Sequence, residues 1–359
     1  METSDNSLLS IGGKFGAYDV VRELGRGGMG AVYLLRDPSN GMEVAAKVMY
    51  PAMGAEGKYL VQRFVREVEI AMAVSHPNLV KVYDAGRDPD TGLGYMLMDY
   101  LPGGSLKDRL AQRLVEDKGP FPIAEALSIV RQVAVALDAA AAHGVVHRDV
   151  KPDNILFAED GTVRLTDLGV ARRSDETGDT TTLTMTNMVV GTPAYMAPEQ
   201  ITHSHKADAR ADIYSLGIVL WELLVGERPT AGLSSSELMA RAIRAERIPD
   251  VGARRKNVPP GVAELLRRMT EPVASRRFAT PGDVVRFIDE WRAWERRRVR
   301  RWLVGTISIG LALVAGVLAA GLWYVHAVVL RKESPPARAE EPSSPMVDVT
   351  DAFSAPRAR

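Results

Sequence analysis

The chain of 359 residues has no cysteine. Disulfides, thiolate nucleophiles and cysteine-based zinc sites are therefore excluded. It also has no net charge, because 45 Lys and Arg balance 45 Asp and Glu. That balance offers no argument for nucleic acid as a partner. No apolar run opens the sequence, which predicts no cleavable signal peptide, and no internal repeat is present. His203 and His205 lie in a polar stretch without a third ligand, so they read as loop residues rather than a metal site.

What is present divides the chain. Residues 1–17 are polar and glycine-rich and are expected to form a flexible leader. Tyr18 to Arg36 alternates apolar and polar residues around a glycine cluster, as a strand–turn–strand does. Lys58 to Val74 has Phe64, Val68 and Met72 at helical spacing, and Ile123 to His143 reads as one long apolar-faced helix. Asp283 to Trp294 places Val284, Phe287, Ile288, Trp291 and Trp294 on one helical face. A basic juxtamembrane segment, 296–302, follows. Leu303 to Tyr324 carries no charge and is long enough to span a bilayer as a helix. The expected membrane helix is 303–325, with Trp302, Trp323 and Tyr324 as interfacial rings. Residues 331–359 are rich in Pro, Ser, Ala and charge and are expected to be a disordered tail outside the cell membrane.

The chemistry concentrates in His147-Arg148-Asp149-Val150-Lys151-Pro152-Asp153-Asn154, with Asp167-Leu168-Gly169 beginning 18 residues after Asp149. Phosphoryl transfer needs such a set. Asp149 can orient a hydroxyl, Lys151 can neutralise the transferred group, and Asn154 and Asp167 can give oxygens to Mg²⁺. Upstream, Gly25, Gly27 and Gly30 would let backbone amides approach phosphates. A dinucleotide-binding fold uses the same string but follows it with a helix. Here Ala31-Val32-Tyr33-Leu34-Leu35 is strand-like. Lys47 ends an apolar strand 17 residues past Gly30, a position suited to gripping the α- and β-phosphates of ATP. Glu67 is its candidate ion-pair partner. Glu56 and Glu69 lie nearby, but Glu69, two residues on, faces elsewhere on a helix.

From about Tyr18 to about Trp294 the sequence resembles the bacterial transmembrane eukaryotic-like Ser/Thr protein kinases. The likeness rests on Gly25-Arg26-Gly27-Gly28-Met29-Gly30-Ala31-Val32, Val44-Ala45-Ala46-Lys47, the catalytic loop, Asp167-Leu168-Gly169 and Gly191-Thr192-Pro193-Ala194-Tyr195-Met196-Ala197-Pro198-Glu199. Leu168 stands where the family usually has Phe and can fill the same slot.

The resemblance implies an α+β, two-lobed kinase fold over 18–295, with a β-rich N-lobe at about 18–98 and a helical C-lobe at about 102–295. Met98 to Gly104 would be the hinge, with Met98 as gatekeeper. Val32, Ala45, Asp99 and Leu101 would join Gly25, Gly27, Gly30, Lys47 and Met98 in binding ATP. Lys151 places the chain with the Ser/Thr branch. Arg148 implies control by phosphate on the activation segment, with Thr184 and Thr186 as the expected acceptors. Thr177, Thr180, Thr181 and Thr182 crowd the same loop. Thr192 would touch Asp149 and Lys151, Asp212 would bond the catalytic-loop backbone, and His147 would pack in the core. The implied activity is ATP γ-phosphoryl transfer to protein Ser/Thr hydroxyls, with Mg²⁺. The alternatives are a catalytically inactive pseudokinase scaffold and a small-molecule phosphotransferase of related fold. Six arginines between Arg292 and Arg301 orient the kinase domain to the cytoplasmic side of the plasma membrane. Ser308, Ala312, Gly316 and Ala320 form a small-residue stripe through which two copies could pair as a homodimer.

Overall fold

The computed structural model describes residues 8–27, 30–50, 68–69, 72–168, 193–202 and 207–329. They fall into two compact units, 1–293 and 294–359.

The first unit begins with an antiparallel sheet of six strands. These are β1 (Lys14–Phe15), β2 (Tyr18–Arg26), β3 (Gly30–Arg36), β4 (Glu43–Met49), β5 (Val82–Arg87) and β6 (Gly94–Asp99), in the order β1-β2-β3-β4-β6-β5. The β2–β3 register sets Gly25 against Val32, and the β3–β4 register sets Val32 against Lys47. The two strands expected on either side of the glycine cluster are thus observed and paired. Its alternation buries Tyr33 and Leu35, with Ala46 and Val48 of β4, in one core.

The leader assignment needs correction from Leu8 onward. Leu9 and Phe15 are buried in that same core. The Leu8 and Leu9 amides donate to the Tyr33 hydroxyl at 3.0 and 3.3 Å. Three apolar residues in a glycine-rich stretch were enough to bind it to the sheet.

The C-lobe is built on helices. Ser105 and Asp108 form a capping box that starts α1 (Leu106–Val115). The helix α2 (Ile123–Ala142) buries residues from Ala126 to Ala140 at three- and four-residue steps, as its pattern predicts. A hairpin of β7 (Ile155–Phe157) and β8 (Val163–Leu165) follows the catalytic loop. Then come α3 (Pro198–Thr202), α4 (Ala209–Val225), α5 (Ser235–Ile243), α6 (Pro260–Met269) and α7 (Pro281–Tyr324). α4 is buried nearly all round and is capped by Asp208 and by Gly226 at φ 91°. It packs beside α2 at the centre of the lobe, where Leu168 also lies. Within the first unit, α7 buries Val284 and Ile288, with Phe287 and Trp291 packed alongside.

The second unit takes in α7 from Trp294 and then a π-helical turn, Val325–Val329. Its apolar run is the one described segment long and apolar enough to cross a membrane, and none of that run is buried against protein.

Candidate active site

The catalytic loop hangs from a buried acid. Asp212, on α4, is 2% exposed, and its two carboxylate oxygens accept the backbone amides of His147 and Arg148 at 2.8 and 2.7 Å. Burial pushes this carboxyl above the usual aspartate range, against the pull of the His147 and Arg148 amides. Arg148 has φ +64°, a left-handed conformation that a non-glycine residue adopts only when its surroundings hold it. His147 is fully buried; its Nε2 lies 2.8 Å from the Thr166 carbonyl, while its Nδ1 accepts the Asp149 amide at 3.3 Å. His147 therefore fixes the backbone, as its expected packing role requires.

Asp149 emerges from this scaffold with two partners. Lys151 Nζ sits 2.7 Å from its Oδ2. Asn154 Nδ2 donates to its backbone oxygen at 2.8 Å and to Oδ2 at 3.1 Å. Pro152 to Asn154 form a single 3₁₀ turn that brings Asn154 back towards Asp149. The Thr166 amide bonds the Asn154 carbonyl at 3.0 Å and so ties the loop to the segment carrying Asp167. Asp167, at φ +60°, reaches Lys47 of β4 at 3.0 Å. Asp149, Lys151, Asn154, Asp167 and Lys47 thus converge between the lobes.

The donor set suits Mg²⁺. With Asn154 Nδ2 turned to Asp149, its amide oxygen is the remaining hard ligand beside the Asp167 carboxylate. Magnesium is usually held by one or two such groups together with substrate phosphates. No group of three acidic, His or Cys side chains placed to hold a metal ion occurs among the described residues. A site completed by phosphate oxygens does not need one.

Val32, Ala45, Met98 and Leu101 share one apolar cluster, which Leu24 and Leu156 join. Leu24 precedes the first glycine, and Leu156 lies two residues past Asn154; that adjacency was the available signal for both. The hinge is docked on the C-lobe by paired bonds, Gly103 N to Phe157 O at 3.0 Å and Phe157 N to Gly104 O at 2.9 Å. A Cβ on Gly103 would stand 2.6 Å from the Phe157 oxygen, so only glycine allows this approach. The three loop glycines differ. Among the described residues, a Cβ on Gly25 or Gly27 would meet nothing within 4 Å, whereas one on Gly30 would lie 2.0 Å from the Val48 oxygen. Gly30 serves packing against β4.

Two further pairs brace the site. The Arg277 guanidinium is wholly buried, clasps Glu199 at 2.6 and 2.8 Å, and donates to the carbonyls of Glu271, Arg210 and Pro272. The Tyr195 hydroxyl donates to Glu222 at 2.6 Å, and burial raises both groups' proton affinity. Neither pairing could be read without knowing which helices face each other. Glu67, Thr184, Thr186 and Thr192 lie outside the described residues, as do the other activation-segment threonines, His203 and His205.

The lobes, the hinge and the five converging side chains define a protein kinase. Residues 18–285 match the family model described as protein kinase domain, and the chain belongs to that family. It is 36% identical over 257 residues to the probable serine/threonine-protein kinase pknA2 of Bifidobacterium longum, covering 71% of this chain and 32% of that one. It is 35% identical over 269 residues to serine/threonine-protein kinase PrkC of Bacillus subtilis, covering 75% and 39%. The chain thus spans about a third to two fifths of the length of these relatives. The crystal structure of the Mycobacterium tuberculosis PknI kinase domain superposes with TM-score 0.61 at 29% identity, covering 79% of this chain and 99% of that one.

Proposed function

We propose that this chain is a serine/threonine protein kinase that transfers the ATP γ-phosphoryl group to protein hydroxyls. The carrying observation is the meeting of Lys47 with Asp167 at 3.0 Å beside Asp149, Lys151 and Asn154. Adenine would lie in the cluster of Val32, Ala45, Met98, Leu101, Leu24 and Leu156, with hinge backbone at Asp99 and Leu101. Lys47 grips the α- and β-phosphates. Asn154 and Asp167 would hold Mg²⁺, which would supply positive charge against that of the phosphates. Asp149 accepts the proton of the attacking hydroxyl. Lys151, already at the Asp149 carboxylate, steadies the moving phosphoryl group.

The apolar helix is proposed to anchor the protein in a membrane, with the kinase domain on the arginine-rich, cytoplasmic side. Phosphate on Thr184 and Thr186, paired with Arg148, is the proposed switch. The small-residue stripe would let two copies phosphorylate each other. Mass spectrometry finding the active enzyme unmodified across this loop would remove the switch. The primary test is incubation of the chain with Mg-ATP and a generic protein, with Lys47→Met as control. Phosphothreonine with the unaltered chain alone supports the kinase; ATP binding without transfer supports the pseudokinase scaffold.

A further inference from the structure

Asp99, assigned to nucleotide binding through its backbone, uses its side chain elsewhere. The carboxylate is 13% exposed. It accepts three donors: the Tyr83 hydroxyl, the Lys81 amide at 3.2 Å, and the Arg164 guanidinium. The backbone bond returns, since the Asp99 amide donates to the Lys81 carbonyl at 3.0 Å. Tyr83 and Lys81 belong to the N-lobe, on β5 and just before it. Arg164 belongs to the C-lobe, at the middle of β8. One side chain at the hinge therefore holds both lobes.

The position of Arg164 gives that contact a consequence for the site. Its register partner across the hairpin is Leu156, in the adenine cluster. The hairpin is bounded by Asn154 on one side and Asp167 on the other. The N-lobe segment before β5 also bonds β8 directly, Leu165 N to Asn78 O at 2.8 Å and Val80 N to Leu165 O at 3.0 Å. Hinge, adenine floor and candidate metal ligands are thus joined through a few residues, with the charged contact at their centre. The hydrogen bond to Asp99 pushes the Tyr83 hydroxyl up to about 12.

We infer that the Asp99 side chain is a positioning residue for nucleotide. By clamping Tyr83, Lys81 and Arg164 it fixes the spacing between the hinge that receives adenine and the hairpin that presents Asn154 and Asp167. The inference deepens the kinase reading and needs it only for the turnover measurement. Without the clamp the lobes sample a wider range of spacings, and adenine and phosphate contacts are less often satisfied together. Nucleotide affinity falls, while the chemistry at Asp149 is untouched once nucleotide is saturating.

The test uses the full chain in detergent. The Kd for Mg²⁺ with a non-hydrolysable ATP analogue is measured by calorimetry, beside KM for ATP, kcat and Tm. Loss of a charge-assisted hydrogen bond leads to an expected Kd increase of about fivefold for Arg164→Gln and about twofold for Tyr83→Phe. Arg164→Lys, which keeps a donor and the charge, should recover much of the loss. KM for ATP should rise in parallel, with kcat nearly constant. Tyr83 is 45% exposed, so its loss of one oxygen leaves the fold standing if Arg164→Gln does not fold. Unchanged Kd in Tyr83→Phe and in every Arg164 variant that folds would overturn the clamp, even with a lower Tm. So would a fall in kcat with Kd unchanged. If the unaltered chain transfers no phosphate, the kinase reading fails while the Kd series still reads the clamp.

Discussion

Lys47 and Asp167 stand 120 residues apart in sequence and meet at 3.0 Å between the lobes. The pair joins the strand that would grip ATP phosphates to the residue that would hold its metal. Closing so long a loop is entropically costly and requires both lobes to be folded. The contact therefore reports assembly of the whole site rather than local structure.

Asp149→Asn should leave nucleotide affinity near that of the unaltered chain and cut kcat by about 10²–10⁴-fold, the usual range for a lost general base. Asp167→Ala should instead abolish metal-dependent nucleotide binding. Calorimetry with and without Mg²⁺, beside steady-state rates, separates the two. Full turnover by Asp149→Asn would contradict the proton-accepting role.

The glycine loop should split into two behaviours. Gly25→Ala and Gly27→Ala meet no neighbour among the described residues, so Tm should hold while KM for ATP rises. Gly30→Ala forces its Cβ on the Val48 carbonyl and should lower stability by about 1–3 kcal/mol, as overpacking does. Urea titrations of all three variants give the comparison.

Glu222 makes stability depend on pH. Burial raises its folded pKa above the unfolded value. A carboxyl raised in this way contributes stability that is fully present below its unfolded pKa and lost as pH climbs through the folded one. Glu222→Gln keeps an acceptor for Tyr195 and removes the charge. The Tm of the variant minus that of the unaltered chain should therefore be more positive at about pH 7.5 than at about pH 4.5. A difference that is flat across this range would place the proton elsewhere.

Arg277 should tolerate no shortening. Arg277→Gln leaves Glu199 without its buried partner and strips donors from three carbonyls. A broken buried pair of this kind costs about 3–5 kcal/mol. Chemical denaturation should show that loss, and α3, which carries Glu199, should exchange amide protons faster.

Local signals made much of this legible. The period-two pattern of β2 and β3, the long apolar face of α2, and the Asp149–Asn154 loop all depend on neighbours close in sequence. Asp212 could be placed because the resemblance supplied its partner. Arg277 could not, because it is one of many arginines and only the packing of α3 and α4 distinguishes it. Gly30 looked like its neighbours in the loop until the β3–β4 register, which sets it opposite Met49, brought the Val48 carbonyl against it. The Asp99 side chain was hidden for a related reason: its partner Arg164 comes 65 residues later, on another lobe.

The family match starts at Tyr18, yet the folded body is already under way at Leu8. A fragment trimmed at the family boundary would uncover the apolar seats of Leu9 and Phe15 and strip Tyr33 of two amide contacts. Such a fragment would present that apolar surface to solvent and would tend to associate with copies of itself.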